Sequence, residues 1–572
     1  MSIVTVDFET FYDKGFSLSR LTTEEYINDP RFEVIGVGIK VDDGETTWHT
    51  GADVATALNK IDWAESALLC HNTMFDGAIL AWRYGIVPGF YFDTLCMARA
   101  IHGVDAGGSL KALASRYKIG EKGDEVVNAL GKRLADFSRV DLDNYGRYCR
   151  NDVALTRSLF DILSASFPAA EYNLIDMTLR MYTQPVLVVD DALLVDRLET
   201  VRAEKQTMLA SLKEKLNCAD EEAVRKKLAS NPQFAALLAE YGVEAPKKIS
   251  PATGKETFAL AKNDEGFIAL SEHDNPTVQQ LCAVRLGTKS TLEESRIERF
   301  LNIGARNKTK LPIPLKYYGA HTGRWSGQDS VNLQNLPSRD KAKKSLKNSI
   351  MAPPGHVVIN SDSSQIEARV LAWLTGQDDV VSQFANGEDV YSIFATKIYN
   401  KPISKANPTE RFVGKTCVLG LGYGTGAAKL RHTLKTQPPG ADLSEEDCKA
   451  IVSLYRETND RIVAFWRDCD TALRNMMSVE VRRGPLGNGC VEYGAGEIYL
   501  PNGLGIRYPD LRIDGEKLVY TSRRGPVNIW GGAMTENIVQ ALARIVVSHQ
   551  MIAVAAAGYR PVLTVHDSVV CV

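Results

Sequence analysis

A chain of 572 residues is too long for a single hydrophobic core, so two or more domains are expected. Hydrophobic residues at 44% and charged residues at 24% are those of an ordinary globular protein, and no run of about eighteen apolar residues is present to span a membrane. A formal net charge of −3 does not advertise nucleic-acid binding, but a local basic surface and local metal-binding acids cancel in such a sum.

The N-terminus, MSIVTVDFETFYDK, carries acids early and has no basic lead before an apolar block, so it is not a signal peptide. The ten cysteines form no C-x-x-C pair. Reduced, mostly buried thiols in a cytoplasmic protein are expected, and zinc is not. From Ser2 to Phe167 the text is α/β. The β-branched run SIVTVDFET, then FEVIGVGIKV from Phe32 and ALLCHN from Ala67, read as strands; Ser109–Ile119 and Tyr145–Leu163 read as helices. From Pro168 to Lys310 long, charged, helix-favouring text dominates, as in Asp196–Leu216, with a turn-rich segment at Pro246–Thr257. From Leu311 onward strand and helix patterns mix again.

Asp7 and Glu9 stand two apart in the first strand and so share one face. Two carboxylates on a buried face repel each other and resist desolvation, and a divalent cation is the usual remedy. Asp76 follows where a polar loop opens a helix, and Tyr148 and Asp152, four apart, share a helix face. Such acids with a tyrosine suit a two-metal nuclease, in which the tyrosine orients the attacking water or touches the scissile phosphate. Taken singly, each piece is equally an ordinary strand end or solvated helix residue.

Three later segments carry a second constellation. In HVVINSDSSQIEARVLAWL a strand runs to Asp362 and a helix begins close by. In RFVGKTCVLGLGYGTG, Arg411, Lys415, Leu419 and Tyr423 recur every four residues as one helical stripe, with two cations placed to clamp a polyphosphate. The glycines at 420, 422, 424 and 426 mark a helix end or the close approach of another backbone or a base. In PVLTVHDSVVCV two apolar strands flank His566-Asp567-Ser568, a hairpin with Asp567 at its tip. Alone, the second segment is an ordinary amphipathic helix and the third a polar turn.

Together these motifs resemble known families. Asp7 and Glu9, then Asn72, Phe75 and Asp76, then Tyr148 and Asp152 look like the three motifs of tyrosine-containing DEDD 3′→5′ exonucleases. Asp362, Ser364, Gln365, Ile366, Glu367 and Arg369, then Arg411, Lys415, Gly420, Tyr423 and Gly424, then His566 and Asp567 resemble the polymerase motifs of the family A DNA polymerases. Upstream, Thr322, Arg324, Ser326, Asn332, Gln334 and Asn335 match a further stretch of that family, and Thr535–Arg544 resembles its helix before the last motif, especially in phage members. The resemblance implies a multidomain α/β and α+β protein. Its parts would be an RNase H-like exonuclease over 1–167, thumb and linker helices over 168–310, and palm and fingers over 311–572, the fingers roughly at 386–500.

It also implies roles. Asp362 and Asp567 would hold two Mg²⁺ ions at the polymerase site, and Asp7, Glu9, Asp76 and Asp152 two more at the nuclease, with Mn²⁺ as a substitute. Arg411 and Lys415 would clamp the triphosphate, and Lys415 would protonate the pyrophosphate. Glu367 would exclude a 2′-hydroxyl and Tyr423 would stack near the templating base, with Gln365, Leu419, Tyr391 and His566 also facing the nucleotide. Arg324 and Gln540 would meet the minor groove, and Thr322, Asn332, Gln334 and Arg369 the DNA. The basic residues Arg339, Lys341, Lys343, Lys344 and Lys347 are either duplex contacts or a solvated loop. The implied partners are primer–template DNA, deoxynucleoside triphosphates and replisome proteins such as a helicase and a single-strand binding protein. A monomer is expected, phage-encoded and acting in the bacterial host cytoplasm, off the membrane.

Three departures stand out. Leu419 occupies a position usually held by an aromatic ring, which predicts poor acceptance of dideoxynucleotides. Ser568 replaces the usual Glu after Asp567, which predicts weaker metal binding. The chain stops at Val572 within the second strand of the hairpin, so a truncated chain with an apolar free edge is expected. Rival readings are a nuclease whose polymerase half no longer synthesises, a non-catalytic nucleic-acid scaffold, and an RNA polymerase; Glu367 argues against the last, and the intact acids against the scaffold.

Overall fold

The computed structural model describes residues 1–572 apart from 124–127, 251–253, 263, 272, 274, 290, 337–343 and 479. Strands β1 (Ser2–Thr10), β2 (Val34–Val41), β3 (Thr47–Thr50), β4 (Ser66–Cys70) and β5 (Phe90–Asp93) form one sheet in the order β3-β2-β1-β4-β5. β1 is antiparallel to β2 and parallel to β4. It is the central strand, and Val4, Val6 and Phe8 are buried under helices. Asp7 sits directly opposite Gly38 of β2. A Cβ at Gly38 would lie 2.9 Å from Cys149 Sγ, so the missing side chain lets the helix Arg139–Ser164 settle onto the sheet beside Asp7.

The middle of the chain is helical, as its composition predicts. The helix Asp191–Lys213 pairs with Leu292–Arg306, and shorter helices between them enclose a separate apolar cluster around Leu212, Phe234, Leu238, Phe267 and Leu281. The turn-rich segment forms the antiparallel pair Lys247–Ile249 and Glu256–Phe258.

The main core does not break near residue 167. Leu163, Phe167, Leu174 and Ile175 belong to one buried cluster that runs from Val4 to Val570. The helix Ala169–Thr183 packs against β5 on one side and the strand Pro561–Val565 on the other.

Toward the C-terminus three strands form a sheet in which Ser568–Cys571 lies between Ile359–Asp362 and Pro561–Val565, antiparallel to both. The expected free edge is therefore not formed by the last strand. It is the central strand, its backbone paired on both sides, and that accounts for its apolar sequence. The helix Gly531–Ala556 is the one helix among the described residues long and apolar enough to cross a membrane. It is a core helix, with Ile538, Val539, Leu542 and Met551 buried. Between residues 484 and 529 lie two small antiparallel sheets of four and three strands, which the sequence pattern did not announce.

Candidate active sites

At the N-terminal cluster the strand, the helix Thr73–Tyr84 and the helix Arg139–Ser164 bring the four predicted acids together. Asp76 Oδ1 accepts a hydrogen bond from Phe8 N at 3.0 Å, which ties that helix to β1 between the two strand acids. Cys149 Sγ donates to the Asp7 carbonyl at 3.3 Å, and ligand atoms of Asp7, Glu9 and Cys149 lie within 4.8 Å of one another. Asp76 and Asp152 are each 3% exposed. Burial, then the nearby Asp152 carboxylate, push the Asp7 carboxyl up to about 7. Burial and the Asp7 charge raise Glu9 and Asp76 as well. Acids held this close in a dry site have too little positive charge around them, and a divalent cation fits that donor set.

Three neighbours escaped the sequence reading. Tyr145 OH donates to Glu9 Oε2 at 2.5 Å. It lies three residues before Tyr148 on the same helix face, so the spacing held the signal. Lys122 Nζ bonds Asp152 Oδ2 and lies 4.8 Å from the centre of the Tyr148 ring. Neither Lys122 nor Cys149 had a readable signal. Tyr148 is buried, and its phenol is held protonated by burial and by Asp152.

The second site is a cleft of about 440 Å³ whose lining includes Asp362, Asp567, Lys415, Glu367, Tyr391 and Leu419. Asp362 ends its strand opposite Ser568, which places Asp567 beside it at the hairpin tip, and Ser363 N donates to Asp567 O at 2.9 Å. Burial and then Asp362 raise the Asp567 carboxyl. Ser568 Oγ donates to Asp362 Oδ2 at 2.9 Å, so the residue in the usual glutamate position orients one of the two aspartates. Glu367 is gripped from two sides, by Arg324 Nη1 at 3.0 Å and by Tyr423 OH at 3.3 Å. Gln365 also faces the cleft, and its Oε1 is buried without a hydrogen-bond partner. A polar ligand in the cleft would satisfy it.

The predicted stripe is only partly helical. The helix Pro408–Leu421 carries Arg411, Lys415 and Leu419, whereas Tyr423 lies past its end. The glycine reading holds at Gly424, with φ +75°, where a Cβ would lie 2.3 Å from the Trp530 ring. Arg411 does not line the cleft. Asp389 holds its guanidinium by two hydrogen bonds of 2.6 and 3.1 Å, and it lies 5.5 Å from the Tyr391 ring centre.

The remaining predicted contacts are spread out. Thr322 Oγ1 donates to Gln540 Oε1 at 3.4 Å near the cleft. Asn332 Oδ1 caps the short turn Leu333–Asn335, and Gln334 lines a neighbouring cavity of about 320 Å³ together with His566. Arg369 is exposed, over the Phe384 ring, with Nε donating to Ser364 O. Arg339, Lys341 and Lys343 lie outside the described residues.

The resemblance to a DNA polymerase agrees with comparisons to known proteins. The family model "DNA polymerase family A" matches residues 195–484, just over half of the chain. The chain belongs to DNA polymerase family A, and its activity is template-directed synthesis of DNA. It is of the phage type: the DNA polymerase of Bacillus phage SP02 is 25% identical across 100% of this chain and 94% of its own length. DNA polymerase I of Treponema pallidum is 24% identical over 70% of this chain and 38% of that protein. The thermostable DNA polymerase I of Thermus thermophilus is 34% identical over 38% of this chain and 25% of that protein. The chain thus spans well under half of these bacterial relatives. In fold it is similar to the POL domain of Pol1 from M. smegmatis, solved in complex with DNA primer–template and dNTP. The TM-score is 0.67 at 20% identity, over 100% of this chain and 89% of that one.

Proposed function

We propose that the chain couples DNA synthesis at the C-terminal cleft to 3′→5′ removal of mispaired primer ends at the N-terminal carboxylates. The observation that carries this is the convergence of Asp7, Glu9, Asp76 and Asp152 from one strand and two helices into a buried, charge-deficient cluster. The mixed sheet order β3-β2-β1-β4-β5 supports an RNase H-like nuclease unit.

Asp362 and Asp567 would hold two Mg²⁺ ions, and the N-terminal acids two more. When bound, these ions offset charge on phosphate oxygens and lower the pKa of a water or primer hydroxyl. The chain's own groups do the rest. In synthesis the primer 3′-oxygen loses its proton and attacks the α-phosphorus, and the bond to pyrophosphate breaks. Lys415 gives the leaving pyrophosphate a proton, and Arg411 exchanges Asp389 for the triphosphate. Glu367, fixed by Arg324 and Tyr423, leaves no room for a 2′-hydroxyl. Arg324 and Gln540 meet minor-groove acceptors, which every base pair presents. In proofreading Tyr148 orients the water that breaks the terminal phosphodiester and releases a nucleoside monophosphate. The protein works as a monomer in the host cytoplasm, alongside replisome proteins.

Chelation tests the reading. With EDTA both extension of a labelled primer and its shortening without nucleotides are expected to stop, and Mg²⁺ to restore both. Shortening that persists in EDTA would sink the nuclease assignment. Two smaller effects follow from the cleft. Leu419 offers no ring, so dideoxynucleotides are expected to be incorporated far more slowly than deoxynucleotides in direct competition; equal rates would contradict this. Ser568→Ala removes a hydrogen bond that aligns Asp362, worth about 1 kcal/mol, so half-maximal extension should need about fivefold more Mg²⁺. An unchanged Mg²⁺ titration would show that the hydroxyl does not position the aspartate.

A further inference from the structure

Between Gly319 and Arg324 the chain turns back on itself. Gly323 N donates to Ala320 O at 2.9 Å, and Gly319 N and Ala320 N both donate to Arg324 O, at 3.0 and 3.1 Å. Gly323 has φ +78°, and a Cβ there would lie 2.7 Å from the Tyr318 ring, so the turn closes this tightly because that position is glycine. A turn so closed moves as one piece, and what grips it from outside decides where its side chains stand. Two of them reach toward the cleft: Thr322 meets Gln540, and Arg324 holds Glu367. The third, His321, faces the other way and belongs to none of the motifs above.

His321 rests on two tyrosines. Its ring centre lies 5.4 Å from that of Tyr520, nearly parallel at 21°, and 5.4 Å from that of Tyr508, tilted at 54°. Tyr508 and Tyr520 meet edge-on at 5.3 Å, so the three rings close a triangle of mutually attractive contacts. Both tyrosines are buried. Tyr520 belongs to the strand Lys517–Ser522 and Tyr508 follows the strand Gly505–Arg507, so each of the two small sheets contributes a ring. Asn537 Nδ2 donates to Tyr508 OH at 3.1 Å, which ties the triangle to the helix that also carries Gln540. His321 Nε2 is buried with no hydrogen-bond partner among the described residues. Burial lowers the imidazole below its usual value against the opposing pull of Asp105, so the ring is neutral. A nitrogen stranded in this way costs stability, and the packing of the ring faces is what keeps His321 in place.

We propose that His321 is a positioning residue for sugar selection: wedged on Tyr508 and Tyr520, it fixes the turn 319–324 and so holds Arg324 against Glu367. The inference rests on the reading of Glu367 as the group that excludes a 2′-hydroxyl. Without the ring the turn shifts, Arg324 moves with it, Glu367 is left with Tyr423 alone, and the sugar pocket widens. The two small sheets between 484 and 529 then have a task, as the wall against which the turn is set.

The test uses the full chain in a competition between one deoxynucleotide and the matching ribonucleotide at a single template position. The ratio of the two products does not depend on how much of the enzyme is folded, so a merely structural loss leaves it unmoved. His321→Ala is expected to raise the ribonucleotide share about tenfold; misplacing a positioning group by about 1 Å can change a rate by about a hundredfold. His321→Phe keeps the flat faces without the stranded nitrogen and should select as the wild type does. Glu367→Ala should raise the share further, and His321→Ala added to it should change nothing more, because the ring acts through Glu367. A wild-type ratio in His321→Ala beside a raised ratio in Glu367→Ala would overturn the anchoring role alone, and so would a His321→Phe variant that selects as poorly as the alanine one. An unchanged ratio in Glu367→Ala would instead sink the reading of Glu367 itself.

Discussion

Replacing Asp567 with alanine is expected to lower primer extension by about a thousandfold while primer shortening continues. Positioned metal ions supply several kcal/mol of transition-state stabilisation in phosphoryl transfer, and about 4 kcal/mol corresponds to a thousandfold. Asp567 and Asp362 are the acids the hairpin register places side by side, and after burial the Asp362 charge raises the Asp567 carboxyl. Asp7→Ala is the mirror experiment. It removes an acid at the centre of the N-terminal cluster and should abolish shortening while extension continues, because the strand that carries it lies in a different sheet. Rates on a labelled primer with and without nucleotides read both variants. A parallel fall of both activities in either variant would mean that the two sites are not separate.

The second large effect concerns stability. Arg544 and Glu171 are each about 2% exposed at the side chain and form a two-pronged ion pair of 2.6 and 2.8 Å. Tyr317 OH and Asn502 Nδ2 also donate to Glu171, at 2.5 and 2.7 Å. The guanidinium lies 4.9 Å from the Trp325 ring centre. The pair joins the helix Ala169–Thr183 to the helix Gly531–Ala556. Arg544→Leu strands a buried carboxylate and should cost about 3–5 kcal/mol, read as a fall in the urea midpoint. The Glu171→Leu, Arg544→Leu double variant should lose less than the single one, because no buried charge is left unpaired.

The pair also has a pH signature. Burial pushes the Glu171 carboxyl up, but Arg544 and the donors from Tyr317 and Asn502 outweigh it and leave it below the ordinary value. A group lowered on folding stabilises the protein above its unfolded pKa and loses that contribution as pH falls through the folded value. The wild type should therefore weaken in acid, below about pH 4.5, more steeply than the double variant. Equal acid sensitivity would contradict the pairing.

What the sequence made legible was whatever a single segment encodes. Period-two spacing put Asp7 and Glu9 on one face, period-four spacing put Tyr148 and Asp152 on one helix, and two apolar runs around His566-Asp567 made a hairpin. What it hid was set by contacts between distant segments. Glu171 and Arg544 are 373 positions apart, and Arg523 meets Asp105 across 418. The last strand is apolar because it is central rather than because it is an edge, and alternation within a strand does not name its neighbours. Asp389, which holds Arg411, and Lys122, which covers Asp152, are polar residues in ordinary-looking text. The strands between 484 and 529 run only three to six residues, too short for a period to show.

The most direct test of the account is a labelled primer–template incubated with the full chain and Mg²⁺, with and without the four deoxynucleotides. The account predicts extension in the first lane and shortening from the 3′ end in the second. Shortening in both lanes, or an unchanged primer without nucleotides, would contradict a chain in which synthesis and proofreading reside together.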